Sequence, residues 1–465
     1  MKLSGLSHLV RSVPAYGQLT GAIEQEALDA LVDARRGEGL GIISAARPYV
    51  VAALYQQLDR PLLILTARSE RVGQWVEQLR TWTGTDTIYP FPEPDALPYE
   101  RVSWSRETVS DRLSALTVLT RPPERGAPVI VASARAVMQQ TTPLREFRLG
   151  VRHYRTGQEI DLQRTLEGWV ANGYRPDTVV EEPGTFNRRG GLVDVYPPNL
   201  LQPVRIELFG DEIDSMRLFD PTTQRTIDQV DEFLLAPATE ALPRLAQAAA
   251  RRVAELDLTY CHGPARSEYQ QDLAYLEAGS AFRGIAFYLP FFYSHPAMLL
   301  DYLPPNGLCL VDDWDGLMAA TVDLDRQAQA LQEDLARAGE LPRNFPRPYF
   351  TWDEIRDRLH ALRPLLLGGR LQEAHPGLLA GTFQHGEGYG GQLKRLLDGF
   401  QEMRDAGERV VVVSRQARRI AELLEERDTV AVPVEQVTEP PPAGSLTLVH
   451  GTLAEGWVLQ APSTG

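Results

Sequence analysis

The 465-residue chain has only two cysteines, Cys261 and Cys309, far apart in unrelated surroundings, which excludes a disulfide framework and a cysteine-based zinc site. Both read as buried, unreactive thiols. No apolar run reaches 18 residues, and the first 15 residues mix Ser, His and Arg among apolar ones. Neither a membrane span nor a secretory signal is implied, and a cytoplasmic location is expected. A basic excess is also missing. The net charge of −15 argues against a surface that binds nucleic acid by counterion release over its whole face, although arginines cluster at Arg188-Arg189 and again between Arg415 and Arg419. Such small patches suit an acidic protein partner better than a DNA groove. The histidines show no metal-ligand spacing and no Ser or Cys nucleophile beside them, and His385 reads as a loop residue. No catalytic constellation and no metal site are expected.

What the chain does have is an ordinary globular mixture, 43% hydrophobic and 23% charged, with material for about three domains. Residues 41–48 read GIISAARP and stand where a phosphate-binding loop would stand, before the apolar run 49–54. A working loop follows G-x-x-x-x-G-K-S/T, in which the second Gly lets backbone amides cradle phosphate, Lys reaches its oxygens and the hydroxyl holds Mg²⁺. Gly41 is present, but those three places hold Ala46, Arg47 and Pro48. Pro48 has neither hydroxyl nor N–H, so this looks like the scaffold of a nucleotide site without its chemistry. A glycine before an unrelated helix would read the same way, and the octapeptide alone does not separate the two.

Residues 1–145 alternate helices (21–36, 69–81, 134–140) with apolar strands (61–66, 129–133), the pattern of a parallel α/β sheet. The proline-rich stretch 89–99 between them reads as a connection, too rigid for a helix and too poor in amide donors for a central strand. Residues 146–236 change character. A helix at 161–172 is followed by short strands at 192–196, 204–209 and 213–219, punctuated by glycine turns, which predicts an inserted α+β module with an antiparallel sheet. Residues 237–349 carry a strand at 308–311 and a polar helix at 321–338, and complete the first layer. The last part, 350–465, again reads α/β, with helices at 392–406 and 415–426 and strands at 409–414, 429–432 and 445–450.

The run EPGTFNRRGGLVDVYP at 182–197, followed by PVRIELFGDEID at 203–214 and RLFD at 217–220, resembles the UvrA-binding domain shared by the excision-repair protein UvrB and the transcription-repair coupling factors. The segments 91–101, 131–136, 284–293 and 300–304 resemble the amino-terminal half of the coupling factors in the same order, so the similarity spans nearly the whole chain. The resemblance implies a degenerate, UvrB-like helicase domain with a parallel sheet, an inserted UvrA-binding domain and a further carboxyl-terminal α/β domain. UvrB itself has an intact phosphate loop, a DNA-clamping hairpin and a helicase motor. Here the loop is broken, and LCLVDDWD at 308–315 takes the place of its Asp-Glu strand, Asp313 replacing the Glu. Asp312 and Asp313 therefore read as a structural acidic turn. The close of the chain, 444–456, resembles the end of the coupling factors' third domain, so an excised front end or a truncated relative is expected.

By that resemblance Arg189, Arg205 and Glu207 fall on positions that contact UvrA, Arg175 lies within one place of another, and Asn187 replaces an arginine. Residues 205 and 207 point to one side of a strand and would form one charged face, and guanidinium groups pair bidentately with carboxylates. Phe186 is included as a domain-core or rim aromatic beside them. Gly190-Gly191 permits a positive-φ turn that presents Arg189, while Asp194 and Tyr196 belong to the architecture. The implied function is recruitment of UvrA without ATP turnover. ATP, Mg²⁺, RNA polymerase and double-stranded DNA would be engaged only through motor and polymerase-binding regions that this chain does not include. The alternative is an ATP-dependent helicase or damage verifier like UvrB, with Arg47 replacing the loop lysine.

Overall fold

The computed structural model describes residues 1–28, 38–123, 126–368 and 377–460. Helices α1 (Pro14–Glu24) and α2 (Arg47–Leu58) precede strand β1 (Leu62–Thr66), helix α3 (Ser69–Thr83), strand β2 (Ile88–Phe91), helix α4 (Arg106–Thr120) and strand β3 (Val129–Ser133). Short helices α5 (Ala134–Met138) and α6 (Leu144–Gly150) follow. Local chemistry sets these limits. Pro48 sits in the first turn of α2, where its fixed φ suits a helix and its missing N–H is not needed. Gly84 ends α3 in the left-handed region, and the Ser105 side chain caps α4 by accepting from the Thr108 amide. Of the helix expected over 21–36, residues 29–36 lie outside the described residues, and α1 instead begins at Pro14.

The inserted module starts with strand β4 (Arg152–Arg155) and helix α7 (Leu162–Ala171), which Asp161 caps. Seven strands follow: β5 (Arg175–Pro176), β6 (Thr185–Arg189), β7 (Leu192–Val195), β8 (Val204–Phe209), β9 (Glu212–Phe219), β10 (Thr226–Gln229) and β11 (Glu232–Leu235). Six of them form one sheet in the order β10-β9-β8-β7-β6-β5, antiparallel except for the parallel β5–β6 pair, while β4 and β11 pair with each other. The module has its own core, in which Trp169 of α7 and Tyr154 and Phe233 of the β4–β11 pair cover Val193, Val204, Ile206 and Met216 of the sheet.

After the module the chain returns to the first layer through helices α8 (Ala246–Val253), α9 (Gly263–Glu277) and α10 (Leu289–Phe292), strand β12 (Leu308–Val311), helices α11 (Trp314–Ala338) and α12 (Trp352–Leu362), and strand β13 (Leu365–Leu366). The result is a five-stranded parallel sheet in the order β13-β12-β1-β3-β2. Alternate side chains divide between two cores: Leu63, Leu65, Ile130 and Val311 on one face, Leu62, Ile64, Val131 and Leu310 on the other. A sheet covered on both faces explains why its strands read as continuous apolar runs. The stretch expected to be a connection from residue 89 contributes its first residues to β2. That strand is the edge of the sheet, where Pro90, which has no ladder donor, is tolerated. Residues 352–366, assigned from the sequence to the last unit, instead complete this first sheet, and α11 begins at Trp314, seven residues before the expected start at 321, because Asp313 caps it.

The last part contains strand β14 (Phe383–His385), helix α13 (Leu393–Asp405), strand β15 (Val410–Ser414), helix α14 (Ala417–Glu425), and strands β16 (Leu446–His450) and β17 (Trp457–Leu459). Strands β15 and β16 pair in parallel, and β14 and β17 antiparallel, so His385 belongs to a strand opposite Trp457 and not to a loop. The strand expected at 429–432 does not form. Pro433 removes a ladder donor there, and the segment meets β16 only at the bridge Val434–Val449.

Candidate functional site

Strand register sorts the residues singled out from the sequence. Across the module's sheet Asn187, Asp194, Arg205 and Arg217 lie opposite one another in one row, and Arg189, Leu192, Glu207 and Ser215 in the next. Arg175 pairs with Thr185, two residues from Asn187 on the same side of β6. Period-two alternation therefore puts Arg175, Arg189, Arg205 and Glu207 on one face, away from the module's core. Phe186 points the other way. It is 6% exposed and meets Trp169 edge-on with ring centroids 5.6 Å apart, so of the core and rim positions expected for it the core one holds, and it supports the sheet from beneath without reaching the charged face.

The four charged residues are not equivalent. Arg205 forms a two-bonded pair with Asp194, Nε to Oδ1 at 2.7 Å and Nη2 to Oδ2 at 2.8 Å, and its guanidinium covers the Phe219 ring at 4.7 Å. The bonds to Asp194 raise the pKa of Arg205 above its ordinary value. Glu207 is bonded to Arg217 and accepts from the Ser215 hydroxyl at 3.4 Å. Arg189 is exposed at the end of β6, where its Nη2 donates to the Thr178 carbonyl at 2.9 Å, and Asn187 donates to the same oxygen. Gly190 has φ of 64°, the left-handed turn that carries β6 into β7 beside Arg189. Arg175 is exposed on the edge strand.

Two residues that sequence reasoning passed over join this face. Phe209 closes β8 before the Gly210-Asp211 turn and is 82% exposed, and Leu192, opposite Glu207, is 38% exposed. Alternation along β8 places Phe209 on the side of Arg205 and Glu207. The signal was present in the string VRIELF, whose last apolar residue falls on the polar parity. The outcome is an exposed aromatic ring and an exposed aliphatic side chain on the face that also carries Arg189, Glu207 and Arg217. Both edges of the sheet are short: β5 is two residues long and ends in Pro176, and β10 is four residues long and bulged against β9.

The loop before α2 is a second, different place. Gly41 has φ of 70°, and residues Ser44–Ala46 form a single 3₁₀ turn leading into the helix. Three amides in and just before this loop donate to protein: Leu40 to the Leu366 carbonyl at 2.8 Å, Ile42 to Leu367 at 2.9 Å and Ala46 to Ile43 at 3.0 Å. Arg47 turns its guanidinium inward. Its Nε donates to the Ile42 carbonyl at 3.0 Å, and its Nη1 lies 2.9 Å from both the Asp312 carbonyl and Asp312 Oδ1. The other carboxylate oxygen of Asp312 receives Arg71 Nη2 at 3.1 Å and Trp75 Nε1 at 3.3 Å. Asp313 caps α11 by accepting from the Gly316 amide. The acidic pair at the end of β12 is thus engaged by protein donors. Among the described residues no three His, Cys, Asp or Glu side chains cluster as metal ligands. Burial pushes the Cys309 thiol up to about 12 and raises that of Cys261, which disfavours the reactive thiolate in both.

Residues 153–240 match the UvrB interaction domain family. Over 74% of its length the chain is 30% identical to the transcription-repair-coupling factor of Myxococcus xanthus, covering 29% of that protein. It is 26% identical over 68% of its length to that of Bacillus subtilis, covering 27%. It is 32% identical over 71% of its length to that of Mycobacterium tuberculosis, covering 26%. The chain thus spans less than a third of the length of these relatives, and the similarity is to their amino-terminal, UvrB-like region.

Proposed function

We propose that this chain is a recruitment module that binds UvrA through the outer face of its inserted sheet and brings nucleotide excision repair to stalled RNA polymerase, without turning over ATP. The observation that carries the reading is the placement of Arg175, Arg189, Arg205 and Glu207 on one face of the domain that matches the UvrB interaction family. Exposed Phe209 and Leu192 supply apolar area among those charges, the composition in which a few anchors dominate binding energy. Bulged and proline-ended edges favour docking on the face over addition of a strand.

The absence of turnover is supported by the loop before α2. Arg47 cannot act as a compact charge at a phosphate while its guanidinium is bonded to Ile42 and Asp312, and Pro48 has no oxygen for Mg²⁺. We assign contacts with RNA polymerase and duplex DNA to the remaining length of the longer relatives. No described helix is long and apolar enough to cross a membrane. Calorimetric titration of the purified chain with UvrA tests the proposal, with a fluorescent ATP analogue titrated in parallel. Binding of UvrA that is lost in Arg189→Glu, and no binding of the analogue, is the expected result. A folded chain that ignores UvrA would overturn it, and tight analogue binding would return the UvrB-like enzyme.

A further inference from the structure

We propose that the loop before α2 serves as an interdomain latch: Arg47 holds Asp312, and the loop so fixed is bonded to the start of the last domain. The inference does not depend on UvrA binding. Its first support is the hydrogen-bond pattern around residues 39–42. On one side Leu40 and Ile42 donate to the carbonyls of Leu366 and Leu367, just beyond α12 and at the end of the parallel sheet. On the other side Leu379 donates to the Leu40 carbonyl at 2.7 Å and Leu378 to the Gly39 carbonyl at 3.3 Å. The loop is therefore a strut between the parallel sheet and the start of the final unit.

The second support is steric. A Cβ added at Gly377 would lie 2.3 Å from the Gly41 nitrogen and 2.4 Å from the Leu40 carbonyl carbon, so two backbones cross where no side chain fits. A Cβ at Gly368 would lie 2.5 Å from Arg47 Nη2. Glycines thus stand on both sides of the loop where the crossing requires them.

The third support lies further along the same helix. Tyr49, two residues after Arg47 on α2, packs its ring against Phe383 of β14 and Trp457 of β17, at centroid distances of 6.1 Å and 4.5 Å. Trp82 of α3 adds contacts to Tyr49 and Trp457. The β14–β17 pair is consequently seated on the helix whose first turn Arg47 occupies. In a phosphate-binding protein of this type the Mg²⁺ ion bound with the phosphates links the loop to the acidic strand. Here a guanidinium attached to the loop supplies the positive charge opposite Asp312, 265 residues away.

The test is hydrogen exchange with mass spectrometry on the full chain, comparing native protein with Arg47→Ala, Arg47→Lys and Gly377→Ala. Arg47→Ala and Gly377→Ala, which act from opposite sides, are expected to deprotect the same peptides, 38–43, 377–385 and 456–460, by about tenfold or more. Peptides of the inserted sheet, 185–219, should not change. Arg47→Lys, keeping the charge but losing the fork, should deprotect them partially. Should Arg47→Ala not fold, the comparison rests on Arg47→Lys and Gly377→Ala. Deprotection confined to the vicinity of each substitution, or none at 377–385 and 456–460, would overturn the latch.

Discussion

Asp194 on β7 and Arg205 on β8 face each other across the module's sheet and share two short bonds, of 2.7 Å and 2.8 Å, with Asp194 only 7% exposed. Arg205 is therefore committed to its own fold before any partner arrives, whereas the guanidinium of Arg189, at the end of β6, donates to the Thr178 carbonyl and pairs with no carboxylate among the described residues. The two arginines should respond differently to truncation. Arg205→Ala leaves a carboxylate without its main donor and is expected to cost about 1–3 kcal/mol of stability. Arg189→Ala should stay within about 0.5 kcal/mol of native stability yet lose about 2 kcal/mol of UvrA affinity, roughly thirtyfold. Urea melts and titration calorimetry on both variants check this, and equal stability losses would show that the distinction is wrong.

Phe209 is 82% exposed at the end of β8, so folding gains little from it. Phe209→Ser is expected to leave the melting temperature unchanged, or to raise solubility, while reducing UvrA affinity by about tenfold or more, as removal of an aromatic anchor does. A surface-resonance comparison with Arg189→Ala would place the two on one interface if the double variant lost less than the sum.

Phe186, on the opposite parity of β6, should behave in the reverse way. It fills the space beside Trp169 in the module's core, and Phe186→Ala is expected to cost about 3–5 kcal/mol through lost burial and a residual cavity. Chemical denaturation followed by Trp169 fluorescence reads the loss. A near-neutral result would mean that the ring is not packed as described.

Asp111, half-buried on α4, has its carboxyl raised from 3.8 to about 6 by burial and by the neighbouring Glu107, against a lowering effect of Arg80. The folded chain therefore holds the proton more tightly than the unfolded one. Stability from this group is full below the unfolded value and is lost as pH rises through about 6. Asp111→Asn removes that loss, and the variant should melt higher than the native chain at about pH 8 and alike at about pH 4. Calorimetric scans at the two pH values decide it, and the reverse order would contradict the assignment.

Much of this was legible before any coordinates, because it depends on spacing between neighbours in the chain. The apolar runs at β1, β3 and β12 announce strands buried on both faces, and the alternation VRIELF at β8 announces a sheet with one wet face. The missing Gly, Lys and hydroxyl at Ala46, Arg47 and Pro48 are visible as letters. Strand β2 was harder to see, since prolines argue against a central strand and nothing local says that the strand would lie at an edge.

Local covalent geometry repeats every two residues in a strand and every 3.6 in a helix, and so the order of residues fixes which side chains share a face. What meets that face comes from segments 11 to 265 residues away and was settled by packing alone. It turned Arg47 toward Asp312, committed Arg205 to Asp194 while leaving Arg189 in solvent, and put Phe186 inside and Phe209 outside. Two chemically similar residues acquire opposite roles because burial and pairing are properties of packed surfaces, and the chain's order does not contain those surfaces until it has folded.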